Sequence, residues 1–169
     1  MSDPTPNDSP PPVLDSARVL AYASVEDIPY RKWGALYHCG QLIEKVPRLA
    51  ICTHLGKDIG PMLFHCDAEW NVLGVSGEPT IDECKALAEK NYPGVNSRWI
   101  DTHIDVERAL EYYDEINDGL ICLFCEKRPF DVSGMVGSRG KAICRECVDA
   151  FYLAFREPDS DDPGNASSA

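Results

Sequence analysis

Four cysteines carry the clearest chemistry in this chain. Cys122 and Cys125 form one Cys-x-x-Cys pair, Cys144 and Cys147 form a second, and eighteen residues separate the pairs. A thiolate is a soft, charged ligand. Two intervening residues let a tight turn place both sulfurs on one side of an ion, and a second turn closes the other side. Four thiolates at about 2.3 Å satisfy the tetrahedral preference of zinc and leave no open coordination position. The expected cofactor is therefore zinc, in a structural site. Iron takes the same ligand geometry, and spacing does not separate the two. A thioredoxin-like redox pair is another use of Cys-x-x-Cys, but it follows a strand in a βαβ unit, which is missing around Cys122. Lys127, Arg128 and Arg145 sit beside or inside the loops. They either offset the charge of the thiolates or stand as solvated surface charges.

The cysteine stretch resembles the N-terminal zinc-binding domain of the ClpX chaperone family over about 35 residues. The shared features are the cysteine spacing, Phe124 before the second cysteine, Lys127 after it, Val132, Met135-Val136-Gly137 in the middle, Ile143 before the third cysteine and Glu146-Cys147-Val148 at the end. The resemblance implies a treble-clef-like zinc fold in which the second cysteine pair opens a helix. It also implies a dimerising module that binds protein clients or adaptors, with unfolded segments among them. The ATPase part of that family has no counterpart here. Residues 134–142, GMVGSRGKA, have the wrong glycine spacing for a phosphate loop, and Ala142 stands where Ser or Thr is needed.

After Cys147 the sequence keeps helical spacing. Val148, Phe151, Tyr152 and Phe155 form one apolar stripe, the expected interaction surface. In so small a module, part of that stripe must also pack on the neighbouring metal loops.

The other cysteines and histidines form no recognisable constellation. Cys52 and His54 are two apart on an expected strand and share a face, whereas His65 and Cys66 point to opposite faces. Buried cysteine commonly packs as a small hydrophobe, so no second metal site is expected from His38, Cys39, Cys52, His54, His65, Cys66 or Cys84. A thiol enzyme built on Cys52 or Cys66 with a histidine is the expectation from a different class. No local signature supports it, and the chain is read as non-enzymatic, with no catalytic residue. Asp67, Glu69, Asp101 and Asp105 read as surface charges and helix caps. Trp33, Trp70 and Trp99 read as core or domain-interface residues.

These groups need elements to hold them. Residues 17–24, ARVLAYAS, alternate as a strand. Leu36, Cys39, Ile43 and Val46 have helical spacing, which predicts a helix from about Trp33 to Val46, with Pro47 fitting its end. Residues 49–55 and 61–67 read as a hairpin around GKDIG, and 70–76 as a third strand. Thr80 with Glu83 signals a helix start, with Cys84, Leu87 and Ala88 facing inward. A last helix over about 105–117 presents Val106, Leu110, Tyr113 and Ile116. The fold class is α+β: a small sheet with packed helices, followed by a treble-clef-like mini-domain. The expected division is a disordered tail over 1–14, an acidic domain over 15–118 that resembles no family, the metal module over 119–156 and an acidic disordered tail over 157–169.

The charge is uneven. The chain has 169 residues and a net charge of −12. Residues 15–119 carry ten basic and eighteen acidic groups, whereas 120–156 carry six and four. An acidic chain repels phosphates, so nucleic acid is not an expected partner. No apolar run is long enough to span a membrane, and the first residues lack a secretory pattern, so a cytoplasmic protein is expected. The expected partner is a protein or protein client, a second copy of the chain included. The acidic domain also suits an inhibitor or immunity-type protein that masks a basic partner.

Overall fold

The computed structural model describes residues 9–31, 36–38, 40–138 and 141–156. The chain mixes strands and helices and divides into two compact units, Met1–Gly119 and Leu120–Ala169. Among the described residues no helix is long and apolar enough to cross a membrane. The expected tail over 157–169 lies outside the described residues, as do residues 1–8, Trp33 and Cys39.

In chain order the first unit holds strands β1 (Val13–Leu14), β2 (Ala17–Ser24), β3 (Leu36–His38), β4 (Gln41–Ile43), β5 (Arg48–His54), β6 (Pro61–Cys66) and β7 (Val72–Gly77). Helix α1 (Ile81–Asn91), strand β8 (Ile100–Asp101) and helix α2 (Val106–Ile116) follow. One antiparallel sheet runs β1-β2-β5-β6-β7, with β8 also paired to β2. Both sheet faces are buried. On one, Leu49, Ile51 and Leu63 pack with Cys84, Ala88 and Tyr92. On the other, Ala50, Cys52, Met62, Phe64 and Cys66 pack with Leu14 and Trp70.

Strand β2 serves both faces through a bulge between Val19 and Ala21. Ala17 and Val19 belong to the second cluster, whereas Ala23, beyond the bulge, belongs to the first. One extra residue, Leu20, inverts the side-chain phase of everything after it.

Helix α1 begins where expected. The Thr80 hydroxyl accepts the Glu83 N–H at 3.2 Å and donates to the Glu83 carboxylate at 2.9 Å. Cys84 and Ala88 are buried and Leu87 packs against them. At its end the Tyr92 hydroxyl reaches across the core and accepts the Val46 N–H at 2.9 Å.

Three expectations are corrected. Over its described residues, the helix expected from about Trp33 to Val46 is replaced by the β3–β4 hairpin, in which His38 pairs with Gln41 across a tight turn. Gly40 there has φ of 78°, the left-handed conformation that such a turn requires and a helix forbids. The expected tail over 1–14 ends earlier: Val13 and Leu14 pair with β2 and are buried. In α2, Ala109 and Tyr113 are the buried residues, whereas Val106 and Ile116 are exposed. The small Ala109 side chain lets the helix approach β1 closely, which turns the Ala109–Tyr113 line inward.

In the second unit a short turn at Pro129–Asp131 precedes strands β9 (Met135–Ser138) and β10 (Lys141–Cys144) and helix α3 (Arg145–Phe155). β9 and β10 pair antiparallel, with Gly137 opposite Ala142. A Cβ on Gly137 would overlap the Lys141 carbonyl oxygen and stand 2.6 Å from Ala142 Cβ, so only glycine fits there.

Candidate metal centre

The first cysteine pair sits on a turn closed by its own backbone. The Cys122 N–H donates to the Lys127 carbonyl at 2.8 Å, and the Cys122 carbonyl accepts the Glu126 N–H at 2.9 Å. Glu126 takes the left-handed φ of 59° that reverses the chain after Cys125. The Leu123 N–H donates to the Ala142 carbonyl at 2.9 Å, which ties the turn to β10.

The second pair is placed by the start of α3. β10 ends on Cys144, and Cys144 is the N-cap of the helix. Its Sγ accepts the Cys147 N–H at 3.4 Å, in the place where a capping oxygen usually stands. Cys147 lies one turn further on. A helix N-terminus favours negative charge, which suits a thiolate.

The two pairs converge. Cys122 Sγ lies 3.7 Å from Cys147 Sγ, and Cys125 Sγ lies 3.6 Å from Cys144 Sγ. All four sulfurs fall within 4.8 Å of one another. A metal–thiolate bond of about 2.3 Å gives a tetrahedron with edges of about 3.8 Å. A disulfide would need about 2.05 Å, so these are free thiols spaced for an ion. The group could hold a metal ion. Cys122 and Cys144 are buried, Cys147 is half-buried and Cys125 is exposed. Val132, Met135 and Ile143 pack around the buried pair.

Hydrogen bonds shape the charge at the site. Burial raises the Cys122 thiol, but N–H groups of Cys144, Phe124 and Cys125 outweigh it and bring it down to about 6. Burial and the neighbouring sulfurs push Cys147 well above the ordinary thiol range, and Cys144 is also raised. A bound cation reverses that upward push, because coordination deprotonates a thiol outright. Glu146 lies beside the sulfurs. It accepts the Ser133 N–H at 2.8 Å, and that bond leads in holding its carboxyl down to about 2. It thereby fastens the 131–134 loop to the first turn of α3. Arg145 points away to Asp149 at 3.9 Å, an exposed pair.

Helix α3 buries none of its residues. On the expected stripe, Val148, Tyr152 and Phe155 are exposed, Phe155 at 83%. Phe151 is half-buried and meets Phe124 edge-on at 4.7 Å between ring centroids. Leu123, Phe124 and Leu153 are also exposed and add apolar surface that helical spacing alone does not reveal. The signal available for Leu123 and Phe124 is their place inside the first Cys-x-x-Cys turn, where no core lies behind them.

Among the described residues, the four cysteines are the one set of three or more His, Cys, Asp or Glu side chains close enough to share an ion. Cys52 and Cys66 are buried on one sheet face, and Cys84 is buried on the other. Burial pushes Cys66 up to about 12 and Cys84 up to about 11, and Cys52 is raised well above the ordinary range. The His54 Nδ1 accepts the Gly56 N–H at 3.0 Å. Burial lowers His65 to about 4. Asp105 caps α2, accepting the Arg108 N–H at 2.7 Å. Trp70 is buried, and Trp99 packs partly buried against the first core cluster. Comparison with protein-family models, curated proteins and solved structures finds no match to this chain.

Proposed function

We propose that residues 119–156 form a structural zinc module that mediates protein contacts, in a chain without catalytic activity. The observation that carries this reading is the group of four Sγ atoms at tetrahedral spacing, with no fifth ligand position to serve a substrate. The order of turn, β9–β10 hairpin and helix, with Cys144 and Cys147 at the helix start, is what a treble-clef-like, ClpX-like zinc fold would have. The exposure of five large apolar side chains, Leu123, Phe124, Tyr152, Leu153 and Phe155, in so small a module supports a contact role. Its partner is an apolar segment of a protein client or a second copy of the chain, in the cytoplasm, and not nucleic acid.

The buried, raised thiols of Cys52 and Cys66 support the non-enzymatic reading, since a protonated thiol is a poor nucleophile. An inhibitor-like role for the acidic unit is a second reading. It is favoured by the exposed carboxylates of α2, including Glu107, Glu111 and Glu115.

The test is an affinity capture with the wild-type chain and Cys144→Ser, with zinc measured on both. A partner held by the wild type and lost together with the zinc supports the module as recognition element. A partner held equally by both overturns it. Steep loss of capture with salt would favour the acidic unit instead.

A further inference from the structure

Residues 9–12, Ser-Pro-Pro-Pro, lie as a strap on the first unit. The Pro12 carbonyl accepts the Val19 N–H at 3.0 Å, and the buried Val13 and Leu14 continue the strap into β1. Pro10, Pro11 and Pro12 are each half-buried. Consecutive prolines have fixed φ and no N–H to satisfy, so the run holds an extended form at little entropic cost.

Two cavities flank the strap. One, of about 360 Å3, is bounded by the strap, Glu69, Trp70 and Tyr112. The other, of about 290 Å3, lies between Ser9-Pro10 and Tyr22, Ile100 and Thr102. The aromatic wall comes from residues outside the strap. Tyr22 meets Trp70 edge-on at 5.6 Å, and the Arg48 guanidinium carbon lies 5.4 Å from the Trp70 ring centroid. Trp70 has φ of 68°, a conformation that bulky residues rarely adopt. It is held there by Asp67, whose carboxylate accepts the Glu69 and Asn71 N–H groups at 3.0 and 2.8 Å.

We propose that this aromatic groove recognises an extended, proline-rich peptide segment, and that Pro10–Pro12 occupies it in cis. Proline rings pack on aromatic faces, and a preformed extended ligand loses little entropy on binding. Residues 9–12 contain no cation, whereas the exposed Glu69 stands at the groove edge. A segment with arginine next to its prolines would therefore bind better than the strap. A tethered strap competes at an effective concentration of about millimolar.

The test titrates the full-length protein with the synthetic peptide Arg-Ser-Pro-Pro-Pro-Arg, capped at both ends. The strap variant carries Pro10→Ser and Pro11→Gly and keeps Pro12 as the anchor of β1. The expected result is at least tenfold tighter binding to the strap variant than to wild type, and at least tenfold loss when Tyr112→Ala is added. No binding to the folded strap variant at millimolar peptide would overturn the proposal. So would equal affinity in wild type and strap variant, or indifference to Tyr112→Ala. Should the double variant melt early, Pro11→Ala alone takes its place, with the same criteria.

Discussion

Cys122 and Cys147 stand 25 positions apart in the chain and 3.7 Å apart at sulfur. Such an approach closes a long loop, and among the described residues of the second unit a small buried cluster of Cys122, Val132 and Cys144 stands behind it. A module this small has little core of its own, so an ion held by the four thiolates would supply much of its folding free energy. Cys144→Ser removes a ligand and leaves a hydroxyl that can still cap α3. It should lower the metal content from about one ion per chain to below about a tenth. Hydrogen exchange should then show loss of protection in β9, β10 and α3, with β5 and β6 unchanged. Prolonged chelation of the wild type should give the same pattern. Full protection of α3 after metal removal would refute this account.

Gly137 makes a sharper test of the hairpin. Gly137→Ala pushes a methyl group into the Lys141 carbonyl and Ala142, whereas a Cβ on Gly134 meets nothing within 4 Å. The first change should destabilise the metal-bound module by about 1–3 kcal/mol. The second should stay within about 0.5 kcal/mol. Competition with a chelator of known affinity reads both, and equal effects would contradict the geometry.

Tyr92 links the end of α1 to Val46 through one buried hydrogen bond of 2.9 Å. Tyr92→Phe keeps the ring and leaves the Val46 N–H without that acceptor, a loss worth about 1–3 kcal/mol. Urea denaturation of the first unit should show it as a lowered midpoint. A midpoint equal to that of wild type would mean that water replaces the hydroxyl at no cost.

Burial holds His65 neutral in the fold, with its pKa lowered to about 4 against 6.5 for the free side chain. Between those values the unfolded chain takes up a proton that the folded chain refuses. The stability contribution is therefore complete above pH 6.5, falls as pH drops toward 4, and levels off below that. The full span is on the order of 3 kcal/mol. Denaturation midpoints between pH 7 and 5 should fall in wild type and fall much less in His65→Gln. Parallel slopes would sink the assignment.

What the sequence disclosed followed the range of the interaction. The cysteine spacing, the Thr80 cap, the alternation in β2 and the β5–β6 hairpin around GKDIG are set by neighbours a few residues away, and they could be read directly. The β3–β4 hairpin was hidden because Leu36, Ile43 and Val46 fit a helical period as well as a hairpin, and only Gly40 spoke for the turn. The extra residue at Leu20 left no mark, since both faces of the sheet are buried and Ala17 through Ser24 keep alternating in burial on either side of it. Pro10–Pro12 looked like tail because what they pack on, Trp70 and Tyr112, lies far along the chain. The rotation of α2 depended on how closely Ala109 could approach β1, which is decided in three dimensions.

Phe151 and Phe155 separate the staple from the surface within one helix. Phe151 is half-buried and meets Phe124 edge-on, so it helps hold the first cysteine turn against α3. Phe155 is 83% exposed and contributes little to the isolated chain. Phe151→Ser should therefore cost about 1–2 kcal/mol and weaken metal retention. Phe155→Ser should change stability by less than about 0.5 kcal/mol. If α3 is a contact surface, Phe155→Ser combined with Tyr152→Ser should still lower partner capture or the self-associated mass, with metal content and melting unchanged. Sedimentation velocity and capture on the metal-loaded protein read this directly. Unchanged mass together with unchanged capture would leave the four-cysteine site as a staple alone and any contact role to the acidic unit.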